Sequence, residues 1–169
     1  MKFHVAVMSR DAAQSTLDLD TRGEVTHVIS IGDRNDPGPP LRAGSRPVLR
    51  LAFDDVSRPH PGYYAPQPRH VARIIAFARA IPTGAGLLVH CAAGISRSPA
   101  AAIIALLAVH DPHSARGIVK HAFRACRSTD TPQPNLLMLQ HAEAQLRYRP
   151  GTVVGLVERE RRMCSRMGY

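Results

Sequence analysis

The sequence has little of what would anchor a chain in a membrane, staple it with disulfides or load it with metal. No unbroken apolar run among its 169 residues approaches the roughly 18 that a spanning helix needs. The opening stretch Met1-Lys2-Phe3-His4-Val5-Ala6-Val7-Met8 is too short for the apolar region of a secretory leader. Its three cysteines, Cys91, Cys126 and Cys164, form an odd set without close spacing. That argues against a disulfide framework and suits a reducing compartment, so a cytoplasmic location is expected. Nine histidines are present, yet none forms a ligand set at metal spacing. The closest approach, His110-Asp111-Pro112-His113, is broken by a proline that reads as a turn, so neither metal nor cofactor is expected. Acidic residues are also scarce, 13 against 22 lysines and arginines, for a net charge of +9. Such a balance permits attraction to polyanions, nucleic acid included. The basic residues are nonetheless dispersed, and their densest cluster, Glu158-Arg159-Glu160-Arg161-Arg162, is interrupted by acids.

What is present reads as one globular domain over residues 1–169, with 44% hydrophobic residues and length enough for a substantial core. Strand-like runs cover Phe3 to Met8, Glu24 to Ile31, Val48 to Phe53 and Gly86 to His90. Helical spacing covers Arg10 to Leu17, with Ser9 as N-cap, then Gln67 to Ala80, Ser96 to His110, Ser114 to Cys126 and Pro134 to Leu146. The helix from Ser96 is apolar almost all round and is expected to be buried. Gly32 to Pro40 reads as a loop that either borders a site or simply connects. Gly151 to Tyr169 reads as a strand or helix with a basic tail. Strands feeding helices through short connections imply an α/β fold: a central, mainly parallel sheet with helices on both faces and a site at the carboxyl ends of the strands.

The most informative segment is His90-Cys91-Ala92-Ala93-Gly94-Ile95-Ser96-Arg97-Ser98, set between an apolar strand and a helix. A loop over a helix N-terminus offers unpaired amides and the positive end of the helix dipole, which together make an anion site. Small residues at Ala92, Ala93 and Gly94 let successive amides converge, with Ile95 and Ser96 completing the loop, and Gly94 is free to adopt a positive φ. The planar fork of Arg97 grips two oxygens of a phosphoryl group at once. Amides and a guanidinium around a thiol favour its anionic, nucleophilic form. Cys91 is therefore expected to attack a bound phosphorus, splitting one displacement into two. Ser98 is placed to donate to the departing thiolate, and His90 to fix the loop from behind.

His-Cys-x-x-Gly-x-x-Arg-Ser resembles the signature of the cysteine-dependent protein tyrosine phosphatases, and the wording Ala93 to Ser98 is most similar to the dual-specificity branch. The resemblance covers about residues 24–147 and leaves 148–169 as an extension. It implies the phosphatase fold, with Cys91 as nucleophile, Arg97 as phosphate clamp and Ser98 as helper of thiolate departure. It also implies an acid some thirty-odd residues upstream, on a loop after a strand, where Asp54-Asp55 follows Val48 to Phe53. Neighbouring side chains on an extended backbone face opposite ways, so one aspartate serves the site. The family pattern favours Asp55, leaving Asp54 as a turn cap. A Pro-Asn pair opens a later helix in the family, so Asn135 either bonds toward the phosphate loop or caps its helix. The implied substrate is a phosphorylated protein or peptide, phosphotyrosine ahead of phosphoserine or phosphothreonine. Inositide phosphatases of the family usually carry lysines in the loop, and Ala92, Ala93, Ile95 and Ser96 are neutral. Tyr63, Tyr64 and His60 either stack on a substrate ring or merely pack. The alternatives are an RNA or nucleotide 5′-phosphatase, motivated by the net charge, and a catalytically idle phosphoprotein-binding module.

Overall fold

The computed structural model describes residues 1–35, 42–127 and 130–166. Four strands, β1(His4–Ser9), β2(His27–Gly32), β3(Val48–Ala52) and β4(Gly86–Cys91), form one parallel sheet in the order β1-β4-β2-β3. Register places Ser9 opposite Cys91, Ser30 opposite His90 and Gly32 opposite Ala52. All four carboxyl ends therefore open onto the same edge of the sheet. This is the α/β architecture expected from the strand and helix alternation.

β2 and β4 are apolar runs because both of their faces are covered, whereas edge strand β3 alternates, burying Leu49 and Leu51 and exposing Arg50 and Ala52. On one face α1(Arg10–Leu19) packs Ala13 and Leu17 against Met8, Val28 and Leu88. On the other face lie α2(Pro68–Ala80), α3(Arg97–Leu107), α4(Ala115–Arg124), α5(Leu136–Gln145) and α6(Thr152–Arg166). Every residue of α3 is buried, which its all-round apolar sequence demands. It forms the centre of the helical layer, with α2, α4 and α5 around it.

β2 starts later than its hydrophobic pattern suggests. The amides of Glu24 and Val25 are taken by the carboxylate of Asp20 at 2.8 and 3.0 Å, and Arg46 pairs with the same carboxylate at 3.0 Å. A side chain thus substitutes for a strand ladder at these positions. β1 and α1 lie outside the span of the family resemblance, yet β1 pairs with β4 over its whole length. The open reading of the C-terminal stretch resolves as a helix: α6 buries Val153 and Val157 against the helical layer. Its first turn is held by buried Glu143 of α5, whose carboxylate accepts from the amides of Gly151, Val153 and Val154. Residues 36–40 of the expected Gly32–Pro40 loop and the tip of the basic tail, 167–169, lie outside the described residues. No helix among the described residues is long and apolar enough to cross a membrane.

Candidate active site

β4 ends at Cys91 and α3 begins at Arg97, so residues 92–96 turn directly from strand to helix. The turn needs glycine at position 94 on two counts. Its φ is +80°, and a Cβ there would stand 2.5 Å from the carbonyl carbon of Met8 and 2.6 Å from the amide nitrogen of Ser9. The loop is also tied to the start of α1, where the Arg10 amide donates to the Ala92 carbonyl at 3.1 Å. Thus Met8, Ser9 and Arg10 form a backbone wall behind the loop. Cys91 is only 2% exposed, while Ala92 and Ala93 are exposed and form the loop's open lip. The Gly94 amide donates to Cys91 Sγ at 3.3 Å, and Ser98 Oγ lies 3.2 Å from the same sulfur.

Arg97, 4% exposed, uses one nitrogen of its fork for structure. Nη1 donates to Asp33 Oδ1 at 2.7 Å and to the Phe53 carbonyl at 2.8 Å. Nε is buried with no hydrogen-bond partner among the described residues. Asp55 Oδ2 forms a longer ion pair with it, at 3.8 Å. A buried donor left without an acceptor costs roughly 1–3 kcal/mol unless a ligand supplies one.

The two aspartates separate. Asp55 turns toward the loop: Oδ1 accepts from Ser96 Oγ at 2.7 Å and from Asn135 Nδ2 at 2.8 Å, leaving Oδ2 toward Arg97. Asp54 turns away, accepting from the Tyr64 amide at 2.6 Å and the Arg34 amide at 3.3 Å, and its own amide returns to the Tyr64 carbonyl. It closes the loop that carries Asp55. Asn135 combines its two expected parts differently from either. Its Oδ1 caps α5 through the Met138 amide, while Nδ2 reaches Asp55 and the Val56 carbonyl. The turn between β4 and α3 is met instead by backbone, the Asn135 amide donating to the Ser96 carbonyl and the Gln133 amide to the Ile95 carbonyl. His90 stands behind the loop with Nδ1 3.4 Å from the Cys91 carbonyl. Burial, followed by the nearby Arg10 and Arg50 charges, lowers its pKa to about 4, so it is neutral near pH 7.

Neither a family model nor a curated protein matches the sequence. Solved structures do match. Human DUSP28 superposes with a TM-score of 0.60 at 19% identity, over 83% of this chain and 86% of that one. PTPMT1 in complex with PI(5)P gives 0.57 at 18% identity over 93% and 94%. Human tyrosine phosphatase-like serine/threonine/tyrosine-interacting protein gives 0.56 at 18% identity over 86% and 96%. The chain has the dual-specificity phosphatase fold.

Within this phosphatase fold the residues that sequence reasoning missed are those that hold Arg97. Asp33 follows β2 and the Phe53 carbonyl follows β3, so both stand at carboxyl ends of strands, where open α/β sheets collect their ligand groups. That position was the available signal, since the Gly32–Pro40 loop reads as a possible rim. The aromatic residues that follow Asp55 in sequence divide. Tyr63 is 58% exposed and meets His60 edge-on at 5.5 Å. Tyr64 packs edge-on against His70 at 5.6 Å, and His70 in turn stacks on Phe53 at 4.8 Å.

Proposed function

We propose that the chain is a phosphomonoester hydrolase of phosphorylated proteins, working through a phosphocysteine on Cys91. The observation that carries this reading is the buried Nε of Arg97, without a hydrogen-bond partner among the described residues, on a side chain whose Nη1 is fixed by Asp33 and the Phe53 carbonyl. An equatorial phosphoryl oxygen satisfies that donor and meets the fork in a fixed orientation. The fold adds support, and one solved neighbour, a mouse putative dual specificity phosphatase, is complexed with zinc tungstate.

In this reading the Cys91 thiolate attacks phosphorus and the bond to the leaving oxygen breaks, with a proton supplied by Asp55. Oδ1 of Asp55 is engaged by Ser96 and Asn135, so Oδ2 carries the proton. The carboxylate then takes a proton from water, whose oxygen attacks phosphorus as the sulfur–phosphorus bond breaks. Ser98, in contact with Sγ, donates to the departing thiolate. The neutral side chains of Ala92, Ala93, Ile95 and Ser96 favour a phosphoprotein over a polyphosphorylated inositide, with tyrosine ahead of serine or threonine. The same reading treats residues 1–169 as one domain with α6 as its C-terminal extension.

The test is a side-by-side assay on phosphotyrosine peptide, phosphothreonine peptide, phosphoinositide and 5′-triphosphorylated RNA, with orthovanadate as competitor. Vanadate-sensitive turnover of phosphopeptides is expected, and Cys91→Ser abolishes it while keeping phosphate affinity. Turnover of RNA alone moves the reading to a 5′-phosphatase. Phosphopeptide binding without turnover leaves a recognition module.

A further inference from the structure

We propose that the concavity at the outer edge of β3 is a second oxyanion site, taking a phosphate group beside the one bound over Cys91. Oxyanion binding there follows from the arginines alone. A role in selecting doubly phosphorylated substrates rests on the hydrolase reading above.

β3 ends the sheet, so one of its edges has no strand beside it. Against this edge opens a cavity of about 490 Å³ lined by Arg50 of β3, Arg69 and Arg73 of α2, Tyr64 and Ser30. Arg34 joins the group at the same tyrosine: its guanidinium carbon lies 4.9 Å from the Tyr64 ring centroid, and that of Arg69 lies 5.6 Å away. The ring holds two planar forks in place by cation–π contact, which leaves their N–H edges for a ligand.

What marks this cluster is that several arginines without a carboxylate partner meet at one cavity. Arg42, Arg46 and Arg97 each pair with an aspartate. Among the described residues no carboxylate pairs with the guanidinium of Arg34, Arg50, Arg69 or Arg73. Asp54 has both oxygens committed to the backbone amides of Tyr64 and Arg34, and Asp33 is paired with Arg97. The cluster's field acts on its neighbour: after burial, the charges of Arg69, Arg73 and His141 push the pKa of His70 down to about 4. A phosphate dianion supplies the missing counter-charge and enough acceptors for several planar forks.

The cluster is also coupled to the catalytic loop. Arg34 is next in sequence to Asp33, which holds Arg97, and Tyr64 brackets Asp54, next to Asp55. A substrate with two phosphate groups therefore meets two cationic sites along one rim.

The experiment measures inorganic phosphate bound per chain by calorimetry at low salt. Wild type and the double variant Arg69→Gln/Arg73→Gln are compared. The expected stoichiometries are two phosphates for wild type and one for the double variant. One phosphate on wild type, or two on the double variant, overturns the site. A second arm compares peptides carrying one and two phosphates. For the doubly phosphorylated peptide alone, kcat/KM falls roughly tenfold in the double variant, the loss of about one charge-assisted bond. p-Nitrophenyl phosphate turnover stays within about twofold, because among the described residues no hydrogen bond or ion pair joins either arginine to Cys91, Arg97 or Asp55. Equal effects on both peptides, with two phosphates still bound by wild type, overturn the substrate role and assign the site to free phosphate. If wild type fails to hydrolyse p-nitrophenyl phosphate, the hydrolase reading falls, and the stoichiometry still decides the second site.

Discussion

Asp33 Oδ1 and Arg97 Nη1 lie 2.7 Å apart, joining the end of β2 to the start of α3 across the mouth of the sheet. The pair is asymmetric, with Arg97 4% exposed on its side chain and Asp33 44%. The aspartate can be removed with little loss of packing, while the guanidinium loses its orientation.

Asp33→Ala is therefore expected to lower kcat/KM on p-nitrophenyl phosphate by roughly tenfold, the cost of about one charge-assisted hydrogen bond. Vanadate affinity falls in parallel, because the same fork binds it. Steady-state kinetics with vanadate inhibition check this. Unchanged vanadate affinity assigns Asp33 to structure alone.

Asp55→Asn and Asp54→Asn are expected to differ in kind. Asp55→Asn removes the proposed proton donor, so its loss of kcat is expected to grow as the leaving group becomes more basic and to reach roughly 10²–10⁴ on phenyl phosphate. Asp54→Asn weakens the bonds that close the acid loop and lowers rates evenly across leaving groups. A linear free-energy plot over substituted aryl phosphates separates the two. A steep slope for Asp54→Asn exchanges the assignments.

Glu143→Ala strips the amides of Gly151, Val153 and Val154 of their acceptor at the start of α6. A buried carboxylate at a helix N-terminus combines hydrogen bonding with the helix dipole, so the loss is about 2–4 kcal/mol. Chemical denaturation measures it. A truncation after Leu146 that matched wild-type stability would show that α6 contributes nothing to the core.

Acid should destabilise the protein through two buried histidines. His70 and His90 are each lowered from 6.5 to about 4, chiefly by burial. Between those values the unfolded chain takes up protons that the folded chain refuses, so stability is full above pH 6.5 and falls as pH drops toward 4. Thermal melts across that window show the slope. His70→Gln is expected to flatten it, and an unchanged slope removes His70 from the effect.

How much of this was legible beforehand varies with the range over which each contact acts. The loop from His90 to Ser98 was legible because its chemistry is contiguous: strand, small residues, arginine and helix lie within nine positions. The buried α3 was legible from its unbroken apolar composition. Asp55 over Asp54 was favoured by pattern, and the opposed directions of neighbouring side chains made the choice one of two. Asp33 was not legible, since its partner is 64 positions away and nothing in a Gly/Pro-rich loop marks one aspartate from another. Asn135 was half legible. Capping is local, three residues to Met138, whereas its bond to Asp55 spans 80 positions. The late start of β2 was hidden similarly, because hydrophobic pattern does not reveal that Asp20 has claimed the amides of Glu24 and Val25.

The contact of Gly94 with Met8 and Ser9 bears on how this chain tolerates change in length. β1 ends at Ser9 and α1 begins at Arg10, so the junction contains no spare residue. An inserted residue there would slide the wall of backbone out from under the loop or drag α1 off the sheet. Loops elsewhere lengthen at modest entropic cost. This joint fixes the spacing of the N-terminal segment, making the first ten residues a ruler against which the reactive turn is set.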